Sequence, residues 1–280
     1  MFYFIIIRVS AMLGAIYGDI IGSYYEIHST KDYNFELNRN CTFTDDTVLS
    51  AAVCKAILAN SENISFIDVK KRAFEYAVQY KSFYRKYPHA GYGSMFISWA
   101  KDNELGVQHS YGNGAAMRVV PIGYAYNTLK QVLVQTKASC YYTHNHSEAI
   151  AGAKAVSGSV FLARNGKDKE EIKKFCEKQL EIKLNASIEQ LRKSYVFDSR
   201  TRYSVPPAII AFLESTDYES AVRNAISLGG DADTMACIAG GIAEAYYQLI
   251  PEHISSFCNK KIDSAIKSVI KDFTHKFLVK

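Results

Sequence analysis

Two stretches of this 280-residue chain concentrate hard oxygen ligands. One is Thr44-Asp45-Asp46-Thr47; the other is Gly229-Gly230-Asp231-Ala232-Asp233-Thr234. Each stands just before an amphipathic run. A single Asp or Thr there is accounted for as a helix cap, and a carboxylate also suits the helix dipole. Capping accounts less well for two aspartates per cluster, each flanked by threonine. Neighbours on a helix point about 100° apart, and residues two apart point nearly opposite. The paired aspartates therefore converge only where the backbone is still turning into a helix. Gly229 and Gly230 allow that turn. Carboxylates and hydroxyls suit Mg²⁺ or Mn²⁺ and do not suit zinc. Two cations sharing four carboxylates would relieve their repulsion. On residue types alone, capping and metal binding stand as equal readings.

Other residues could complete such a site. In Gly18-Asp19-Ile20-Ile21-Gly22-Ser23-Tyr24-Tyr25-Glu26 the glycines allow close helix approach. Asp19 sits in an apolar stretch and, if buried, needs a partner; a structural hydrogen bond to a neighbouring helix end is the expectation. Glu26 falls at a helix end, where cations are preferred, so a site role suits it better than a cap. Gly112-Asn113-Gly114-Ala115-Ala116-Met117-Arg118 places small residues before an apolar run, where backbone N–H groups can approach an anion. Taken alone this reads as an ordinary turn, with Arg118 in a structural salt bridge. Of His144 and His146, one is expected to cap a helix and the other to be solvated or packed. Neither is assigned to a metal. The aromatics of 91–99 are read as packing.

The elements that must position these residues are helices. Apolar positions recur with helical spacing, strand alternation is absent, and only five prolines occur. Helices are expected near 13–27, 47–57, 65–83, 112–126, 128–140, 145–164, 168–182, 205–215, 218–228, 231–250 and 254–272, the tenth ending before Pro251. Residues 29–43, 84–93, 102–111 and 194–204 read as loops. The chain reads as one all-α domain of about a dozen helices, a compact orthogonal bundle over 13–280, with 1–12 as an N-terminal extension. The apolar run at the start is too short to span a bilayer, and no other segment reads as transmembrane. Its arginine follows the apolar stretch, unlike a secretory signal. Six cysteines without CxxC or zinc-like spacing fit a reducing cytoplasm. The net charge of +5 is spread along the chain. It suits an anionic small substrate and gives no argument for nucleic acid.

Taken in order, the segments resemble the ADP-ribosylglycohydrolase family. They are GAIYGDIIGSYYE (14–26), FTDDTVLS (43–50), GYGSMFISWA (91–100), GNGAAMRVVPIG (112–123), THNHSEAIAGA (143–153) and SLGGDADTMACIAGGIAEA (227–245). The resemblance implies the family's all-α fold and a binuclear Mg²⁺ site, sometimes Mn²⁺, at the base of a cleft. The implied ligands are Thr44, Asp45, Asp46, Asp231, Asp233 and Thr234. The implied catalytic carboxylates are Asp45, Asp46 and Glu26. Substrate contacts fall on Glu26, on the diphosphate loop Gly112, Asn113, Gly114, Ala115, Ala116 and Met117, and on His144. Many relatives have Ser at Ala115, so one phosphate hydrogen bond is missing here. The implied reaction releases ADP-ribose from a modified protein side chain or a small molecule through an oxocarbenium-like state. A catalytically weak ADP-ribose-binding or crystallin-like relative is the alternative, and the intact acidic clusters argue against it. Isoprenoid synthases also bind Mg-diphosphate on aspartate-rich helices, but there the motifs lie within helices. The acceptor is not readable; its selection is expected in loops 29–43 and 84–111.

Overall fold

Helix starts in this chain are written locally. Thr128, Asp168, Ser187 and Asp217 each accept the backbone N–H three residues on, and each has its own N–H accepted in return by the side chain there. Asp263 caps by accepting Ala265 N–H. The computed structural model describes residues 12–59 and 69–279. These hold fourteen α-helices and no strand. In chain order they are α1 Gly14–Ile27, α2 Asp45–Ala59, α3 Val69–Lys86, α4 Ser94–Lys101, α5 Val120–Ala125, α6 Leu129–Cys140 and α7 Ser147–Arg164. They continue with α8 Lys169–Leu180, α9 Ile188–Ser194, α10 Thr201–Leu213, α11 Tyr218–Ile226, α12 Ala232–Tyr247, α13 Glu252–Asn259 and α14 Ser264–Phe277. The expected all-α single domain is what forms. The expected extension 1–12 lies outside the described residues except for Met12, as does the expected helical start at 65–68.

Several elements differ from expectation, each for a physical reason. The run 112–126 is not one helix: a short 3-10 turn, Asn113–Ala115, precedes α5, because the Asn113 N–H is taken by Ser199 O. The run 254–272 is two helices; Asp263 caps a new start at α14. Segment 194–204 is not all loop. α10 begins at Thr201 because its N–H and hydroxyl are held by Tyr111 O and Gly112 O, and Pro206 and Pro207 are carried inside it. α9 has no counterpart among the expected helices; its Ser187–Gln190 capping box starts it. α12 ends at Gln248 in a left-handed turn (φ 55°), three residues before Pro251.

The centre of the molecule is the crossing of α1 and α12, which packs small residues against small residues. Gly14, Gly18 and Gly22 recur every fourth position on one face of α1. They meet Gly240, Ala236 and Ala232 of α12 in antiparallel order. A Cβ on Gly18 would lie 2.1 Å from Ala236 O; one on Gly22 would lie 2.5 Å from Ala232 O. The two backbones are therefore in direct contact. Glu244 of α12 then caps α1, its carboxylate accepting Gly14 N–H at 2.8 Å and Leu13 N–H at 3.2 Å. Among the described residues, no helix is long and apolar enough to cross a membrane.

Gly18→Ala is expected to destabilise the protein by about 3 kcal/mol, the upper end of overpacking costs, because the obstacle is backbone. Gly106→Ala, where a Cβ would meet nothing within 4 Å, is expected to stay within about 0.5 kcal/mol of the parent. Urea denaturation of both variants measures this.

Candidate active site

The tight crossing sets Asp19 of α1 beside the start of α2. Asp19 is fully buried. Its Oδ2 accepts Thr44 N–H at 3.0 Å, Thr47 N–H at 3.2 Å and the Thr47 hydroxyl; its Oδ1 accepts the Thr44 hydroxyl at 2.6 Å. Asp19 thus takes the capping role for α2 from another helix, as its apolar setting led us to expect. Asp45 and Asp46 are left without capping work. At α12 the same holds: Asp231 is the residue at the cap position, but its side chain makes no cap bond. Its Oδ2 accepts instead from Asn113 Nδ2 at 2.7 Å.

The released carboxylates converge. Asp19, Asp46 and Asp233 each offer an oxygen to one group within 4.8 Å; Glu26, Asp231 and Asp233 form a second such group. Asp233 belongs to both. Thr234 Oγ1 donates to Asp46 Oδ2 at 3.3 Å, and Thr44 Oγ1 lies 3.4 Å from the same oxygen. Asp45 is in neither group. It lines the same cleft, where a Cβ on Gly91 would approach its Oδ1 to 3.4 Å. The turn into α12 uses its two glycines differently. Gly229 adopts φ 66°; at Gly230 a Cβ would lie 2.1 Å from the Tyr195 ring.

Charge is poorly compensated here. Burial, then the Asp233 charge, raises Asp45, Asp46 and Asp231 well above the usual carboxylate range. Burial, then Asp233, pushes Asp19 up to about 7 against its threonine hydrogen bonds. Burial, then Asp233 and Asp19, raises Glu26 to about 7. Asp46 Oδ1 is buried with no hydrogen-bond partner. Such an oxygen is costly without a cation or proton. The donors are carboxylates and threonine hydroxyls, and the nearest thiol, Cys237, is engaged with Met117 O. This set fits hard divalent cations and does not fit a thiolate-seeking metal.

The cluster floors a cleft of about 360 Å³, within the range of small-molecule sites. One wall is the glycine loop, with Gly112, Asn113, Gly114 and Met117 on the cleft; Ala115 and Ala116 are fully buried behind it. Asn113 Nδ2 also donates to Ser204 Oγ at 3.1 Å, so the loop is braced on α10. His144 lines the cleft, whereas His146 caps α7 by accepting Glu148 N–H at 3.3 Å. Arg118 is fully buried and also reaches the cleft lining. Among the described residues it makes no salt bridge; instead it stacks on Tyr80, 4.1 Å from the ring centre, and donates to Thr143. The expected ion pair is replaced by a cation–π contact and a hydroxyl acceptor. Loop 29–43 contributes nothing to the lining. Its place is taken by Phe197 and Ser199, with Met95, Phe96, Gln108 and Ser110 from the expected 84–111 region. Sequence reading missed Ser204, Phe197 and Ser199, since a loop docked from far along the chain carries no periodic signal.

A model of the family described as ADP-ribosylglycohydrolase matches residues 8–278. The chain is similar to the ADP-ribosylhydrolase ARH3 of Xenopus tropicalis, at 29% identity over 85% of this chain and 86% of that protein. It is similar to the ARH3 of Homo sapiens at 27% identity, covering 88% and 87%. It is also similar to the ADP-ribosylarginine hydrolase Tri1 of Pseudomonas putida at 27% identity, covering 85% and 69%. A solved structure titled as an ADP-ribosylglycohydrolase-related protein complex superposes with a TM-score of 0.70 over 96% of this chain and 97% of that one, at 20% identity. That likeness is one of fold.

The raised carboxylates set a pH prediction. A group whose folded pKa lies above its unfolded value contributes stability below the unfolded value, and loses it as pH rises through the folded one. In EDTA the cluster should therefore cost stability increasingly between about pH 4 and about 7, where Asp19 and Glu26 titrate. Excess divalent cation should raise Tm more near pH 8 than near pH 5, because ligands must lose their protons. Asp46→Asn should abolish that rise without lowering Tm in EDTA. Thermal melts at both pH values decide; a cation effect independent of pH and of Asp46 would contradict the assignment.

Proposed function

The chain belongs to the ADP-ribosylglycohydrolase family, and on that premise we propose that it hydrolyses the glycosidic bond between ADP-ribose and a modified protein side chain or small molecule, using Mg²⁺ or Mn²⁺. The observation that carries this reading is the meeting of Asp45 and Asp46 with Asp231, Asp233 and Glu26 along one cleft, beside the glycine loop. Its similarity to proteins named for ADP-ribosyl and ADP-ribosylarginine hydrolysis supports the substrate class. Six buried free thiols suit a reducing compartment such as the cytoplasm.

Thr44, Asp45, Asp46, Asp231, Asp233 and Thr234 would hold two cations. What a divalent cation supplies at such a site is Lewis-acid polarisation of a bound oxygen and neutralisation of the carboxylates. The remaining work falls to the chain itself. The wall at Gly112–Gly114 takes the diphosphate, so binding energy remote from the reaction orients the ribose. Carboxylates on the floor favour positive charge developing at C1″ as the bond to the acceptor breaks. Glu26 stands at the exposed edge and serves as the acid/base that exchanges the proton between water and the leaving atom. Asp45 and Asp46, anchored at the start of α2, hold the water in place.

Hydrolysis of ADP-ribosyl-serine and ADP-ribosyl-arginine peptides, followed by release of ADP-ribose, tests this. EDTA should abolish turnover and Mg²⁺ should restore it. Glu26→Gln should lower kcat by at least about 100-fold with KM little changed. Asp45→Ala and Asp231→Ala should abolish turnover while helical circular dichroism persists. Metal-independent turnover would overturn the scheme, and tight ADP-ribose binding without turnover of any conjugate would leave a binding protein.

A further inference from the structure

Behind the glycine loop lies a buried polar chain that the carboxylate chemistry does not use. Arg118 Nη2 donates to Thr143 Oγ1 at 2.7 Å, and Thr143 Oγ1 lies 2.9 Å from His144 Nδ1. All three residues are buried, with Arg118 at 0% and Thr143 at 1% exposure. We infer that Arg118 and Thr143 are positioning residues that fix His144 in the tautomer carrying its proton on Nε2, as a hydrogen-bond donor toward the diphosphate end of the cleft.

The argument runs on donor and acceptor inventory. A guanidinium has donors only, so Thr143 Oγ1 must accept from Arg118. The threonine hydroxyl hydrogen then needs an acceptor, and His144 Nδ1 is the one within reach among the described residues. Nδ1 therefore accepts. A neutral imidazole with an accepting Nδ1 bears its proton on Nε2. Neutrality itself is secured on this side: burial first, then the Arg118 charge, holds His144 well below the usual histidine range. A guanidinium offers no acceptor, so the direction of the chain is fixed at its source.

The backbone that carries the ring is also held in place. His144 N–H donates to Cys140 O at 2.8 Å, and its backbone bridges His109. Its Nε2 makes no hydrogen bond to a described residue. That atom faces Gly114 of the loop, where a Cβ would approach it to 3.0 Å. The loop backbone and a neutral N–H donor thus share one end of the cleft. The opposite tautomer would turn a lone pair toward an anion and repel it. The tautomer follows from the buried chain alone; the identity of the anion as a diphosphate rests on the proposed function.

Long-range ¹⁵N–¹H spectra of the full chain with Mg²⁺ read the tautomer, with the signal assigned by His144→Asn. The expected result is an Nε2–H imidazole at His144. Thr143→Val should shift it toward Nδ1–H and Thr143→Ser should restore it, a rescue that a merely structural threonine would not show. Adding ADP-ribose should move the Nε2 signal, and Thr143→Val should weaken ADP-ribose binding by about ten-fold, the scale of one hydrogen bond to a charged group. An Nδ1–H or doubly protonated His144 in the parent would overturn the inference, as would a tautomer unchanged in Thr143→Val. ADP-ribose that binds without moving Nε2 would overturn the donor role. Failure of ADP-ribose to bind at all, with the tautomer as expected, would instead sink the substrate assignment and leave the positioning chain standing.

Discussion

Everything at this site depends on two helices touching backbone to backbone. The glycines of α1 and the alanines and glycine of α12 remove the side chains that would otherwise hold the axes apart. A larger residue at Gly18 or Gly22 would separate the helices and carry Asp19 and Glu26 away from Asp233. The seam thus converts a packing rule into the spacing of the carboxylates. Its cost is modest apolar contact at the most central interface, offset by the large apolar residues flanking it, such as Ile16, Ile20, Ile238 and Ile242.

A second constraint is the exchange of caps between helices. Glu244 of α12 satisfies the start of α1, and Asp19 of α1 satisfies the start of α2. Each carboxylate acts across the fold on a neighbour. The aspartates that stand at the helix starts themselves, Asp45, Asp46 and Asp231, are consequently available for other chemistry. They remain near helix N-termini, whose partial positive charge favours them, but that term is far too small to offset several buried carboxylates. The cluster is therefore left short of positive charge, which is the demand that the proposed cations would meet.

The polar wall of the cleft is built the same way, by elements remote in sequence. Asn113 bridges Asp231 and Ser204, and Thr201 anchors the loop carbonyl of Gly112. Arg118, Thr143 and His144 form a separate buried chain on the other side. The carboxylate floor and this wall meet at the glycine loop, so acidic and amide-rich surfaces lie side by side in one cleft.

Much of this was legible in the residue order. Apolar spacing and capping residues determine an all-α chain, and they mark most helices because each cap is a contact within three residues. Doubled aspartates at two helix starts pointed to more than capping, and Asp19 in an apolar stretch pointed to a buried partner. What residue order could not decide was any relation between distant segments. That Asp19 rather than Asp45 or Asp46 caps α2, that Arg118 pairs with a ring and a hydroxyl rather than a carboxylate, that Ala115 and Ala116 are buried, and that Phe197 and Ser199 rather than residues of 29–43 line the cleft are all settled by tertiary contact. The physical reason is the same in each case. Local hydrogen bonds and periodicity act over a few residues, whereas the partner of a buried polar group is chosen by which helix end the packing brings within about 3 Å of it.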